Sequence, residues 1–367
     1  MTKIGIIILS KIVQWGTSMK VMFQILIVAT CLVILVYYTE GNSPQTELLE
    51  GPPVITKPIA EVETQQRDTE HLPRPASGIS TFIGKSPKDI LETYDRPNRI
   101  DQSEFGYEWW IYNVKNELLM VSIKNDKVNQ VFTNNMSFQT SPFVIGQTLD
   151  EIYRTTVFGQ EVTVEIDENM YIFAMNEQDL HNRILVKYDD LYAQLYIDDI
   201  TKQLHSVRFL DGETLVLHKP YEMQFFGELY EASTPSSYKQ IDINLANRRQ
   251  LTDLANSFRI KYNLPVLLPL DSLSSLASEN SEEMFLQTME SHSTNGENSI
   301  EQQLNELQQQ YNQHGINVAT NYKDAIEVLH GWLNSKEHRA LLTDEQFTHI
   351  GSGAYLNYFT QLYVEQK

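Results

Sequence analysis

Residues Gly315 to Phe359 read GINVATNYKDAIEVLHGWLNSKEHRALLTDEQFTHIGSGAYLNYF, and the order of signals within them decides the fold of the C-terminal third. Ala325, Ile326, Leu329 and Trp332 recur with the three-, four- and seven-residue spacing of one helical face, which predicts a helix over Tyr322 to Leu333. A short polar turn follows, Asn334-Ser335-Lys336-Glu337-His338-Arg339. Thr348 to Tyr355, with Ile350-Gly351-Ser352-Gly353, and Tyr358 to Val364 then read as an antiparallel hairpin.

Upstream, Leu251, Leu254, Ala255, Phe258 and Ile260 lie on or near one face of a helix predicted over Ala246 to Tyr262. It stops before Asn263-Leu264-Pro265, where proline forbids continuation. A second helix, capped by Asp271, is predicted to about Glu290 and leads into Ser291-His292-Ser293. The Gln-rich stretch Gln302 to Gln313 reads as a solvated helix. With Trp332, the Asn-Ser-x-x-His-Arg turn and the Ile-Gly-x-Gly strand, this region resembles the CAP superfamily (cysteine-rich secretory, antigen 5, pathogenesis-related proteins) in its bacterial, cysteine-free form. The resemblance implies an α–β–α sandwich.

It also implies a surface groove in which two histidines meet acidic groups and where some members bind a divalent metal. The matching residues are His292 and His338. Where the family usually has Gly-Glu-Asn, this chain has Gly315-Ile316-Asn317, so a carboxylate is missing. A zinc site needs at least three protein ligands, and isoleucine can neither ligate nor act as a base. His314 and Glu297 are near in sequence, but no spacing demands them. Three readings stay open: a preformed metal site, a polar groove without metal lined by His292, Ile316, Asn317 and His338, and histidines that serve only the fold. The expectation is no catalytic residue, no metal and no cofactor. His349 reads as a satisfied strand histidine, and Trp109-Trp110 as one core residue and one on the opposite strand face. No phosphate-binding glycine loop, Gly-x-Ser-x-Gly elbow or His-Glu-x-x-His occurs.

A weak internal repeat begins near Ile79. Phe82-Ile83-Gly84-Lys85-Ser86-Pro87-Lys88-Asp89-Ile90-Leu91 is echoed by Val144-Ile145-Gly146-Gln147-Thr148-Leu149-Asp150-Glu151-Ile152-Tyr153. Each copy sets a hydroxyl N-cap ahead of a short helix and is followed by alternating strands, predicting two small α+β meander units packed as a pair. IGKSPKDILETYDRP followed by Tyr107-Glu108-Trp109-Trp110 resembles the CAP-associated N-terminal region of Bacillus-type membrane proteins. Residues 40–79, punctuated by Gly51-Pro52-Pro53, Pro58, Pro73 and Pro75, are expected to be a disordered linker. Glu231 to Tyr238 reads as a flexible joint.

At the start, Val21 to Tyr38 is an uncharged apolar run, short but sufficient to span a bilayer. Lys3, Lys11 and Lys20 precede it and no acid occurs before Glu40, so the rest of the chain is expected outside. Cleavage after the run and lipidation of Cys31, the only cysteine, are the weighed alternatives. Formal net charge is −20, and setting aside the three lysines of the first 39 residues leaves −23, which repels nucleic acid. An exported region without cysteine uses no disulfides; since eukaryotic secreted members of the family it resembles are disulfide-rich, this implies a bacterium whose exported proteins avoid thiols, such as a low-GC Gram-positive. The expected class is therefore α+β, comprising residues 1–39 as cytoplasmic end and transmembrane helix, 40–79 as linker, 80–230 as the repeated β-meander unit and 240–367 as the CAP-like sandwich. The expected function is non-enzymatic binding or scaffolding at the cell envelope, with an envelope component or protein as partner. A peptide or wall hydrolase, or a hydrophobic-ligand binder, using the His292/His338 cleft is the alternative.

Overall fold

In the computed structural model, which describes residues 46–60, 72–114, 117–289 and 311–366 together with Leu26 and Thr30, two short strands come first, β1 (Leu49–Glu50) and β2 (Thr56–Pro58). The first repeat comprises α1 (Pro87–Tyr94), β3 (Arg99–Gln102), β4 (Glu108–Val114), β5 (Glu117–Lys124) and β6 (Lys127–Thr133). The second comprises α2 (Leu149–Thr155), β7 (Glu161–Ile166), β8 (Asn169–Ala174), α3 (Glu177–Asn182), β9 (Arg183–Lys187), β10 (Leu191–Asp198) and β11 (Gln203–Asp211). α4 (Gly212–His218) and β12 (Glu222–Phe226) close this region. The C-terminal part runs α5 (Ser237–Lys261), β13 (Leu268–Pro269), α6 (Asp271–Met289), β14 (Tyr311–Thr320), α7 (Ala325–Asn334), α8 (Lys336–Thr343), β15 (His349–Tyr355) and β16 (Tyr358–Gln366). The expected membrane span lies outside the described residues apart from Leu26 and Thr30. Among the described residues no helix is long and apolar enough to cross a membrane.

The repeat is real at the level of single hydrogen bonds. Gly84 N donates to Val128 O (2.7 Å) and Val128 N to Lys85 O (2.9 Å); the equivalent Gly146 N donates to Leu204 O (2.8 Å) and Leu204 N to Gln147 O (2.7 Å). Both glycines have left-handed φ, 83° and 93°. Ser86 and Thr148 cap the helices as expected, Thr148 through a full capping box with Glu151. The two meanders join edge to edge, β6 against β11, into one seven-stranded sheet ordered β3-β4-β5-β6-β11-β10-β9. Asp211 ends β11 and caps α4, accepting from Thr214 N at 2.8 Å. A separate four-stranded sheet, β2-β12-β8-β7, packs on α4 through Val162, Phe173, Leu215 and Val216.

The C-terminal part is an α–β–α sandwich around the sheet β1-β14-β16-β15-β13. α6 lies on β15 and β16, while α5 packs on β15 and α8 on β14. Gly351 and Gly353 explain the spacing of the glycine-punctuated strand. A Cβ at Gly353 would sit 2.1 Å from the Ala277 carbonyl carbon, and one at Gly351 2.3 Å from that of Leu273, so α6 rests directly on backbone. The presumed Asn334–Arg339 turn is only a bend, because Lys336 already starts α8 and His338 stands in its first turn.

One expectation changes. Residues 46–60, expected as part of an unstructured linker, form a strap: β1 adds in parallel to β14 and β2 in parallel to β12. Free sheet edges offer backbone donors and acceptors that an extended polar segment can satisfy without any apolar pattern of its own. The joint expected over Glu231 to Tyr238 has no regular secondary structure up to Ser236, and α5 starts at Ser237, capped by Ser236 accepting from Lys239 N at 3.3 Å. α5 then packs on β3 and β5 as well as on β15. One face of the seven-stranded sheet carries Trp109, Ile111, Met120 and Phe132 into the same core as Leu254, Phe258, Leu329 and Trp332. The opposite face, with Leu119, Val121, Ile184 and Val186, covers Ile90 of α1 and Ile152 of α2. Trp109 is buried in the shared core, and Trp110, on the other face, packs half-buried against the repeat core.

Candidate functional site

The candidate groove is built on β14, where successive side chains alternate between faces. Ile316 is fully buried and packs with Ala277, Val318 and Leu362 on the α6 side. Asn317 points the other way, its Nδ2 donating to His338 O at 3.0 Å. A Cβ at Gly315, on the Asn317 side, would meet Leu341 of α8 at 2.6 Å, which confirms the facing. The structure therefore brings Asn317 and His338 together and sends Ile316 to the opposite face. His292 and Glu297 lie outside the described residues. His314 precedes Ile316 by two on the strand and shares its face; burial lowers the pKa of its imidazole.

His338 is buried, with Nδ1 hydrogen-bonded to Ser335 Oγ at 2.8 Å. Its Nε2 is buried without a hydrogen-bond partner among the described residues. Burial holds the ring below its ordinary pKa, so it is neutral at pH 7. The strap lies alongside. Thr46 N and Oγ1 both donate to Ile316 O (3.3 and 2.8 Å), and Gly51 N donates to Thr320 O at 2.8 Å. The edge of β14 beside His338 is thus occupied by the chain's own backbone. Among the described residues no group of three or more His, Cys, Asp or Glu is placed to hold a metal. His349 pairs through Nδ1 with Thr348 Oγ1 at 2.9 Å.

Sequence reasoning missed the charged seam between the repeat region and the sandwich. Arg208 donates to both oxygens of Asp324 (3.0 and 2.7 Å), and its Nη1 meets His218 Nδ1 at 3.1 Å. His218 Nε2 in turn meets Tyr107 OH at 2.9 Å. Arg339 binds Asp198 bidentately at 3.0 and 2.9 Å, and Arg99 reaches Asp253 at 2.7 Å. Burial raises the Asp198 carboxyl, but the bonds from Arg339 and Tyr262 outweigh it and hold the group well below the usual carboxylate range. Burial pushes the Glu327 carboxyl up, reinforced by Asp324. No local pattern marks these residues, because each is partnered by a residue distant in the chain.

Residues 252–364 match the profile of the cysteine-rich secretory protein family, and residues 83–221 that of the CAP-associated N-terminal region. The chain is 31% identical over 349 residues to an uncharacterized membrane protein, YlbC, of Bacillus subtilis (strain 168), covering 95% of this chain and 99% of that one. An extracellular protein of Bacillus anthracis (strain Ames) containing an SCP domain superposes with a TM-score of 0.73 at 27% identity, over 84% of this chain and all 100% of its own. A cysteine-rich secretory protein of Staphylococcus aureus (Mu50) gives a TM-score of 0.73 at 26% identity, over 88% and 99%. The α–β–α sandwich, the doubled meander ahead of it and these matches agree, and the chain belongs to the cysteine-rich secretory protein (CAP) family, in the form that carries a CAP-associated N-terminal region.

Proposed function

We propose that this protein is a membrane-tethered, outward-facing module that binds or scaffolds at a bacterial cell envelope and does not catalyse hydrolysis. The observation that carries the reading is position 316. A groove that hydrolyses or holds zinc needs a carboxylate as base or third ligand. At the position where the family carries that carboxylate this chain has an isoleucine, and its side chain faces away from Asn317 and His338, sealed among Ala277, Val318 and Leu362. The strap supports the same reading, because it takes up the β14 edge beside His338. The sealed Ile316 cluster also speaks against a hydrophobic ligand entering at that wall. Tethering is supported by the lysine asymmetry around Val21 to Tyr38 and by the naming of the Bacillus subtilis relative as a membrane protein. The outward orientation is supported by the extracellular designation of the Bacillus anthracis protein.

The test uses the full-length chain in detergent. Zinc is titrated by calorimetry, and turnover of peptide and cell-wall substrates is followed in parallel. The expected result is no stoichiometric tight zinc and no turnover. Tight zinc binding, or turnover that disappears in His338→Gln, overturns the proposal.

A further inference from the structure

Between β1 and β2 the strap borders a cleft of about 470 Å³, a volume typical of small-ligand sites. Three parts of the fold line it: strap residues 50–54, the stretch Asn321–Lys323 with Asn357 from the sandwich, and Glu104 from the turn between β3 and β4. The strap wall is fixed, because a Cβ on Gly51 would lie 2.5 Å from Asn321 O. Asn321 and Asn357 already satisfy each other, Nδ2 of Asn357 donating to Oδ1 of Asn321 at 2.7 Å. Glu104 is different. It is partly buried, accepts no hydrogen bond from any described residue, and joins no salt bridge among them. Burial pushes its carboxyl up to about 7; Lys323 opposes the shift and Asp324 adds to it. A carboxylate taken from water without a donor is costly, and this one faces an open cleft.

We propose that the cleft binds the free amino end of a short peptide, with Glu104 as the counter-ion of the ammonium. Glu50 adds a second acid to the lining, Lys323 supplies a donor for a peptide carbonyl or carboxylate, and Pro52, Pro53 and Tyr322 supply apolar wall. The strongly acidic exported region concentrates cationic groups near the site. The cleft does not include His338, so a catalytic His338 groove would leave this assignment standing, and an empty cleft would leave the groove reading standing.

Triglycine and N-acetyl-triglycine are titrated into the full-length protein and its Glu104→Gln variant, by calorimetry with ligand-observed NMR. Triglycine binds the wild type, and either acetylation or Glu104→Gln weakens binding by about tenfold or more, the loss of one charge-assisted contact. Equal affinity for the two peptides, undiminished binding by Glu104→Gln, or no binding of triglycine at millimolar concentration overturns the assignment. Glu104→Gln keeps the shape of the side chain, so a marked fall in its melting temperature would show a structural carboxyl and overturn it as well.

Discussion

Replacing Asp324 with alanine removes three things at once. Arg208, whose side chain is 0% exposed, loses its carboxylate partner. α7 loses its N-cap, since Asp324 Oδ1 accepts from Glu327 N at 3.0 Å. Glu327 loses the neighbouring charge that helps hold its carboxyl up. Stranding a buried guanidinium costs about 3–5 kcal/mol, and a lost cap costs about 1 kcal/mol. The two do not add, because one carboxylate serves both, and Glu327, ionising more readily without Asp324, takes over part of the pairing. The net expectation is a loss of about 4 kcal/mol, from the lower half of the stranded-charge range plus part of the cap. At roughly 2–4 °C per kcal/mol for a body of this size class, the melting temperature falls by roughly 10 °C. Circular-dichroism melts and urea titrations of the full chain read this out. Asp324→Asn, which keeps a capping oxygen, is expected to lose less, and Arg208→Met with Asp324→Leu to recover most of the loss. A single-variant loss under about 1 kcal/mol, the worth of an exposed pair, would refute the reasoning, as would a double variant no better than the single.

Gly353→Ala drives a methyl into the Ala277 backbone, and its cost is expected near the top of the about 1–3 kcal/mol range for overpacking, since backbone yields less than a side chain; a melt unchanged from wild type contradicts the close α6–β15 approach. Ile316→Glu buries a carboxylate among Ala277, Val318 and Leu362 and is expected to cost about 3 kcal/mol or more without adding zinc affinity, because residue 316 faces away from Asn317; calorimetric zinc binding gained by the variant would place His338 and residue 316 in one groove after all. Burial pushes the imidazoles of His205, His218 and His330 down, His330 to about 3. The unfolded chain titrates them near pH 6.5. Below that pH it takes up protons that the folded chain refuses, so stability falls as pH drops from about 6.5 toward the folded values; urea midpoints at several pH values show this, and His330→Gln flattens the slope. Protease added to wall-stripped cells is expected to degrade residues 80–367, and full protection on intact protoplasts would sink the outward orientation.

Much of the fold is legible along the chain because it rests on local bonding. The three- and four-residue spacing of Ala325, Ile326, Leu329 and Trp332 marks α7, and the hydroxyls of Ser86 and Thr148 mark the repeat helices. The Gly-x-Gly of β15 and the Asn334–Arg339 motif locate the sandwich. The substitution at Ile316 is visible too, through the departure from the family's Gly-Glu-Asn.

Other features depend on which surfaces meet. The strap has no alternation, since its strands are held by backbone bonds to edges provided by β14 and β12. The first turns of α5 lack a clear apolar face, so its true start at Ser237 is invisible before the packing is known. β10 is buried along its whole length. A strand covered on both sides reads as a nearly continuous apolar run, which tells that it is covered but not by what. Nothing in Trp109 or Phe132 shows that they pack with Phe258 and Trp332, and so two regions that read as separate share one core. The direction of the Ile316 side chain, the Arg208–Asp324 pair and the exposure of Glu104 to a cleft belong to the same class. The sequence by itself determined the main helices and strands and the repeat, because these follow from hydrogen bonds and apolar faces a few residues apart, and the resemblance to the family motif marked the carboxylate missing at Ile316. Only the tertiary structure decided which faces and edges join, because those contacts are made between residues tens to hundreds of positions apart and leave no periodic trace.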